Sequence, residues 1–234
     1  MSVTVDEIKE KFITKLQKTG WDIPLRGFIY SKDFEDIINF LYDESINGRK
    51  ITPVLKDIFG AFEQCPYSEL KVVIVGQDPY PRLGVANGVA FCCAKTREKQ
   101  PSLQYLLDEV NHTVYEDASV STNPDLSRWS KQGILLLNVA LTTTVNKIGQ
   151  HYLIWRPFLA YLFDILSWNN SGIVYIYMGK KALEWKDAVS DANHKFVTTH
   201  PAIAYYTDGV WDSDDVFNKV SKIVKNSFNY ELKW

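Results

Sequence analysis

Four short apolar runs separated by helix-patterned stretches predict an α/β fold. The expected architecture is one domain with a central four-stranded, mainly parallel sheet, flanked by helices on both faces. The runs are Val72–Val75, Ile134–Leu137, Ile173–Tyr177 and Lys195–Thr198. A second observation is composition: 234 residues, 46% hydrophobic and 23% charged, can bury a large core without disulfide or metal staples. A third is continuity, because no internal repeat, low-complexity tract or long linker divides the chain. A single domain over 1–234 is expected, with a mostly helical part over 1–65 and an α/β core over 70–228.

The elements follow in order. Ile8, Phe12, Ile13 and Leu16 have helix spacing, and Phe34, Ile37, Ile38 and Leu41 repeat it behind Ser31, a candidate N-cap. Thr52-Pro53 reads as the opening of a further helix, with proline at its first position. Between the strands, helices are expected after Ser102, after Pro157, through Lys180–Val189 and after Ser213. In the stretch VVIVGQDPYPRLGVANGVAFCC, from Val72 to Cys93, an abrupt Gly-Gln-Asp-Pro-Tyr-Pro turn joins the first strand to a second apolar run. One Gly or one Pro suffices to reverse a chain, so two prolines make this loop stiffer than a turn requires. Cys92 and Cys93 at the end of that run are read as core, since alternate faces of a strand cannot both meet one site.

Bulk properties exclude several classes. A net charge of −2 rules out a broadly basic protein, though a local patch can still bind a polyanion. Three cysteines without metal spacing suggest a reducing compartment. The N-terminus is charged and helical in pattern, unlike a signal peptide. The most apolar long stretch, LIWRPFLAYLFDILSW, is interrupted by Arg156 and Asp164 and is too short to span a bilayer. A cytoplasmic or nuclear protein without membrane contact is expected. No GxxxxGK[ST] or strand-borne GxGxxG proposes a nucleotide, no HExxH or CxxC proposes a metal, and Asp78 has no nucleophile motif beside it.

In parallel sheets ligands sit beyond the carboxyl ends of the strands. Those ends deliver Gln77, Asp78 and Tyr80, then Asn138, then Gly179-Lys180-Lys181, then His200-Pro201. Taken singly, each is more often structural: Asp78 a turn former, Asn138 a strand-end hydrogen bonder, His200 a satisfied imidazole, the lysines a solvated helix start, Phe91 core. Four polar groups at four successive strand ends are harder to dismiss. They suit acid–base or electrostatic catalysis on a neutral ring, with an amide to read its donor and acceptor edges.

The same residues resemble a family, the uracil-DNA glycosylases of the highly uracil-specific type. GQDPY at Gly76–Tyr80 is similar to that family's water-activating motif, and GVAF at Gly88–Phe91 to the segment that follows it. QPSLQYLLDEV from Gln100, LSRWSKQGILLLNVALT from Leu126 and VTTHP from Val197 resemble its Pro-Ser-Leu, Leu-Leu-Leu-Asn and His-Pro segments in order and spacing. The resemblance implies excision of uracil from DNA by base flipping, with no cofactor and no metal. It implies Asp78 as the water-activating carboxylate and His200 as donor to the uracil O2. It further implies Asn138 as reader of the N3–H and O4, Phe91 as stacking ring, Tyr80 as the wall against a thymine methyl, and a Gln77 backbone contact. Pro101, Ser102, Gly179, Lys180, Pro201, Ile203, Ala204 and Tyr205 fall on its DNA-binding loops, and His151 falls near a family histidine on another. Implied partners are uracil-containing DNA, single- or double-stranded, and a DNA-mimicking inhibitor protein, with the enzyme itself a monomer.

The chain also departs from the family. Pro81 stands where His is usual, and Lys180 replaces a serine hydroxyl. The His-Pro loop continues Ala202-Ile203-Ala204 where Ser-Pro-Leu would supply a phosphate contact and a wedge, leaving Ile203 or Tyr205 as the candidate wedge. Two rival readings share the fold: a DNA-binding accessory module with weak or no catalysis, and a glycosylase for another damaged pyrimidine.

Overall fold

The computed structural model describes residues 4–234. Its helical opening consists of α1 (Val5–Leu16), α2 (Asp22–Ile29) and α3 (Lys32–Ile46), followed by the two-residue strand β1 (Ile51–Thr52) and α4 (Gly60–Gln64). Then come β2 (Val72–Gly76), α5 (Pro101–Tyr115), α6 (Ser127–Ser130), β3 (Ile134–Asn138), β4 (Thr143–Thr144) and α7 (Tyr152–Asn169). The chain closes with β5 (Val174–Met178), α8 (Lys180–Leu183), β6 (His194–Thr198) and α9 (Val216–Phe228).

The central sheet has strand order β3-β2-β5-β6 and every pairing is parallel, so the expected α/β architecture is found. Strands β2, β3 and β5 are buried along their whole length, whereas the edge strand β6 is partly exposed. Side chains alternate across a strand, and here the alternation builds two cores. Val73, Val75, Leu135, Leu137, Tyr175 and Tyr177 face α1–α4 and α7. Val72, Ile74, Ile134, Leu136, Val174 and Ile176 face α5 and α9. On the first side, Phe158 of α7 meets Phe28, Phe59, Phe62 and Trp155 edge to face, with ring centroids 5.2–5.7 Å apart. That geometry favours aromatic rings beyond the area they bury.

Several local expectations give way to tertiary context. Thr52-Pro53 does not open a helix: Thr52 pairs with Thr143 in an antiparallel ribbon, and its peptide bond to Pro53 is cis. The residue before a proline avoids the helical region, and the first regular helix after it is α4. Helix α7 begins at Tyr152, five residues before Pro157, because the carbonyl a proline leaves unpaired here belongs to Leu153, which is 81% exposed to water. The expected helix over Lys180–Val189 is interrupted between α8 and a 3₁₀ turn at Lys186–Ala188. Residues 88–93 form turns rather than a strand, with Phe91 in the left-handed region at φ 61°. Both cysteines there still lie in one core.

Truncating the centre of the aromatic cluster tests this account of the first core. Phe158→Ala is expected to cost about 3–5 kcal/mol, read as a lowered denaturant midpoint with an unchanged slope.

Candidate active site

The ladder register aligns the strand ends: Gly76 of β2 pairs with Asn138 of β3, and Met178 of β5 with Thr198 of β6. The loops beyond them enclose a cavity of about 310 Å³ lined by Gln77, Asp78, Tyr80, Phe91, Pro101, Ser102, Asn138 and His200 among others. Eight residues singled out in the sequence therefore share one hollow at the carboxyl edge of the sheet. Glycine at position 76 keeps that hollow open, since a Cβ there would lie 2.8 Å from the Asn138 Oδ1 and 3.1 Å from the Phe91 ring.

Asp78 sits in the loop after β2, and its Oδ2 accepts the Gly149 backbone N–H at 2.7 Å. Burial raises its carboxyl to about 6, against the pull of that N–H. At neutral pH it is mostly ionised, yet basic enough to take a proton. His200 is moved the other way: burial lowers its imidazole to about 4, so the ring is neutral. The Ala202 N–H donates to its Nδ1 at 3.2 Å, which places the ring proton on Nε2. Gly179, at φ 92°, lets the chain pass this ring, because a Cβ would come within 2.9 Å of the His200 Cβ.

Tyr80 is clamped. Its hydroxyl donates to the Phe91 carbonyl at 3.1 Å and lies 3.0 Å from the Ser102 Oγ. Burial holds its phenol well above the usual tyrosine range. Phe91 stands 5.6 Å from the His200 ring, tilted by 37°. Asn138 is 8% exposed, and its amide makes no side-chain hydrogen bond among the described residues. A buried amide without a protein partner is suited to a ligand that presents both a donor and an acceptor.

The remaining sequence candidates divide. The helix expected after Ser102 starts one residue before it: Gln100 is the N-cap, Pro101 follows, and the buried Ser102 hydroxyl is engaged by Tyr80. Lys180 is exposed and unpaired among the described residues, while its neighbour Lys181 is held by Glu184 at 2.7 Å. Pro201 and Ala204 are buried, so their side chains turn inward and only backbone at those positions can meet a ligand. Ile203 and Tyr205 are exposed on the 3₁₀ turn Pro201–Tyr206, as is Tyr206. His151 faces inward as well. It lies 2.9 Å from the Thr142 Oγ1 and 3.2 Å from the Thr144 Oγ1, with Phe40 edge-on to its ring.

Sequence reasoning overlooked Gly149, Tyr152, Ile148 and Gln100. Nothing local marks Gly149 as the partner of a residue 71 positions earlier; the one signal is the turn composition of Asn146–Gly149. No group of three or more His, Cys, Asp or Glu among the described residues is placed to hold a metal ion.

Asp78 carries a stability consequence. A carboxyl whose folded value lies above its unfolded one binds its proton more tightly when folded. Its contribution is present below the unfolded value of 3.8 and is lost as pH rises through about 6. At neutral pH the native state bears a buried charge, so Asp78→Asn is expected to be more stable than the wild type by about 3 kcal/mol there, and no more stable near the unfolded carboxyl value. Denaturant midpoints at the two pH values check this.

Comparison with known proteins gives the geometry a lineage. The family model described as Uracil DNA glycosylase superfamily matches residues 62–224. A protein of Mesomycoplasma hyopneumoniae named uracil-DNA glycosylase is 34% identical over 218 residues, covering 91% of this chain and 97% of its own. One of the same name from Coxiella burnetii is 32% identical, covering 86% and 87%. Among solved structures, a mimivirus UNG variant in complex with UGI superposes with a TM-score of 0.82 at 22% identity, over 92% of this chain and 87% of that one. The wild-type UNG of Nitratifractor salsuginis gives a TM-score of 0.57 at 21% identity, over 95% and 98%. The chain belongs to the uracil-DNA glycosylase superfamily.

Proposed function

We propose that this chain hydrolyses the N-glycosidic bond of uracil in DNA, releasing the base and leaving an abasic site. The observation that carries the reading is the unpartnered Asn138 amide, set in one cavity with the ionisable Asp78, the neutral His200 and the Phe91 ring. A base inside a duplex cannot reach such a hollow, so it must be extruded, at a cost of a few kcal/mol.

In this reading the flipped uracil lies along Phe91, with Asn138 pairing to N3–H and O4. Cytosine would present an acceptor where N3–H is needed and a donor where O4 is needed, leaving the buried amide mismatched. Tyr80, fixed at its hydroxyl from two sides, walls off the place of a thymine methyl. As the C1′–N1 bond breaks, its electron pair stays on the base. The neutral imidazole donates its Nε2–H to the uracil O2, stabilising that charge without itself titrating. The Asp78 carboxylate orients a water, whose oxygen bonds to C1′ and whose proton passes to the carboxylate. No step calls for a cofactor.

DNA would enter across the mouth of the cavity. Lys99, Lys147 and Lys180, each adjacent to a residue at or beside that mouth, have no ion-pair partner among the described residues and are available to phosphates. Ile203 or Tyr205 would wedge into the gap left by the flipped base. The mimivirus relative is described in complex with UGI; a DNA-mimicking inhibitor protein would here meet the same loops. No described helix is long and apolar enough to cross a membrane, which accords with work on DNA in the cytoplasm or nucleus.

The decisive assay is base release from uracil-containing oligonucleotides, single- and double-stranded, with thymine as the control base. Release that survives EDTA, disappears in Asp78→Asn and is absent for thymine is expected. No release with DNA binding intact would favour an accessory module instead. Lys180→Ala is expected to weaken DNA binding and to flatten the plot of log affinity against log salt by about one unit, measured by titration at several salt concentrations.

A further inference from the structure

Tyr152, the first residue of α7, has a hydroxyl sealed from solvent that hydrogen bonds to nothing among the described residues. Buried polar groups left unpaired are rare and call for an explanation. The ring lies against Gly149, where an added Cβ would stand 2.8 Å from the Tyr152 Cε2 and 3.4 Å from its Cζ. Gly149 is the residue whose N–H reaches the Asp78 Oδ2 at 2.7 Å. The phenol thus ends beside the Asp78 carboxylate and the Gln77 side chain, near both and bonded to neither.

We propose that Tyr152 is a positioning residue for Asp78, its hydroxyl donating to the carboxylate in the working site. Gly149 and Tyr152 would then hold the carboxylate from the α7 side and leave its remaining lone pairs facing the cavity and the water there. The inference rests on the reading of Asp78 as the water-activating group. Of the two acceptors within reach, a carboxylate binds a hydroxyl more strongly than an amide oxygen does. Burial keeps the Tyr152 phenol well above its ordinary range, so it remains a donor at any working pH.

The groups around Asp78 leave this hydroxyl a large share of the local balance. On its own loop Gln77 is neutral, and the Tyr80 hydroxyl is committed to Phe91 and Ser102. From the loop after β6 comes His200, neutral, and from the segment before α7 only the Gly149 N–H. On α8, Lys181 stands 5.4 Å from the centroid of the Tyr152 ring and is paired to Glu184. No cation among the described residues is paired with the carboxylate.

The test is a carbon-13 NMR titration of the Asp78 carboxyl in the wild type, in Tyr152→Phe and in Tyr42→Phe, whose ring is exposed on α3. It is run beside pH profiles of uracil release. Tyr152→Phe is expected to raise the Asp78 midpoint by about one unit. Uracil release then falls about fivefold near the wild-type midpoint and hardly at all two units above it, with KM unchanged. Tyr42→Phe should match the wild type in both. Coincident carboxyl titrations in wild type and folded Tyr152→Phe would overturn the proposal. Should Tyr152→Phe not fold, fluorotyrosine at position 152 replaces it. Its fluorine shift should follow the Asp78 titration and lose that step in Asp78→Asn, and a flat shift would overturn the proposal. If the wild type itself releases no uracil, the functional reading fails, while the carboxyl titration still decides whether Tyr152 holds Asp78.

Discussion

The site depends on one pairing, that of β2 with β3, which sets Gly76 opposite Asn138. A parallel ladder fixes register residue by residue, and a slip by one would turn every side chain of a strand to the other face. With both faces of β2 and β3 buried, no such slip is tolerated. The pairing therefore holds the Asn138 amide at the floor of the cavity and launches the Gln77–Tyr80 loop from the adjacent strand end. The missing side chain at Gly76 is what leaves space between them.

The wall that forms the cavity also sets its chemistry. Removing water disfavours charge on any group, so it moves an acid and a base in opposite directions. Asp78 goes up to about 6 and His200 down to about 4, so that above about 6 one is an anion and the other a neutral donor. In the proposed reaction, charge is then available where a proton is to be taken. It is absent where a fixed cation would grip the departing anion and slow its exit.

Much of this was legible in the sequence, for physical reasons. Strands buried on both faces must be apolar throughout, so Val72–Val75 and Ile134–Leu137 stood out, and the residues just beyond them had to lie on the ligand-binding rim. What could not be read was set by distant partners. Ser102 looks like the residue before a helix until the fold places it inside α5, its hydroxyl against Tyr80. Thr52-Pro53 looks like a helix start until Thr143 pairs with it. His151 looks like a surface ligand until Thr142, Thr144 and Glu44 enclose it. Ala204 occupies a loop that departs from its family, and only the packing shows that its side chain joins the core. The segment carrying Gly149 and Tyr152 is placed by that histidine network, through contacts no local pattern encodes.

The cysteines extend the picture in a different direction. Cys65 is enclosed in the core on one face of the sheet, and Cys92 and Cys93 in the core on the other, all three unpaired. Burial pushes the Cys65 thiol up to about 12 and raises the other two, so little reactive thiolate forms at neutral pH. A thiol reagent reaches them only when the surrounding packing parts. Each layer thus carries a built-in clock for its own opening, and the order in which the thiols become labelled would tell which side of the sheet breathes first.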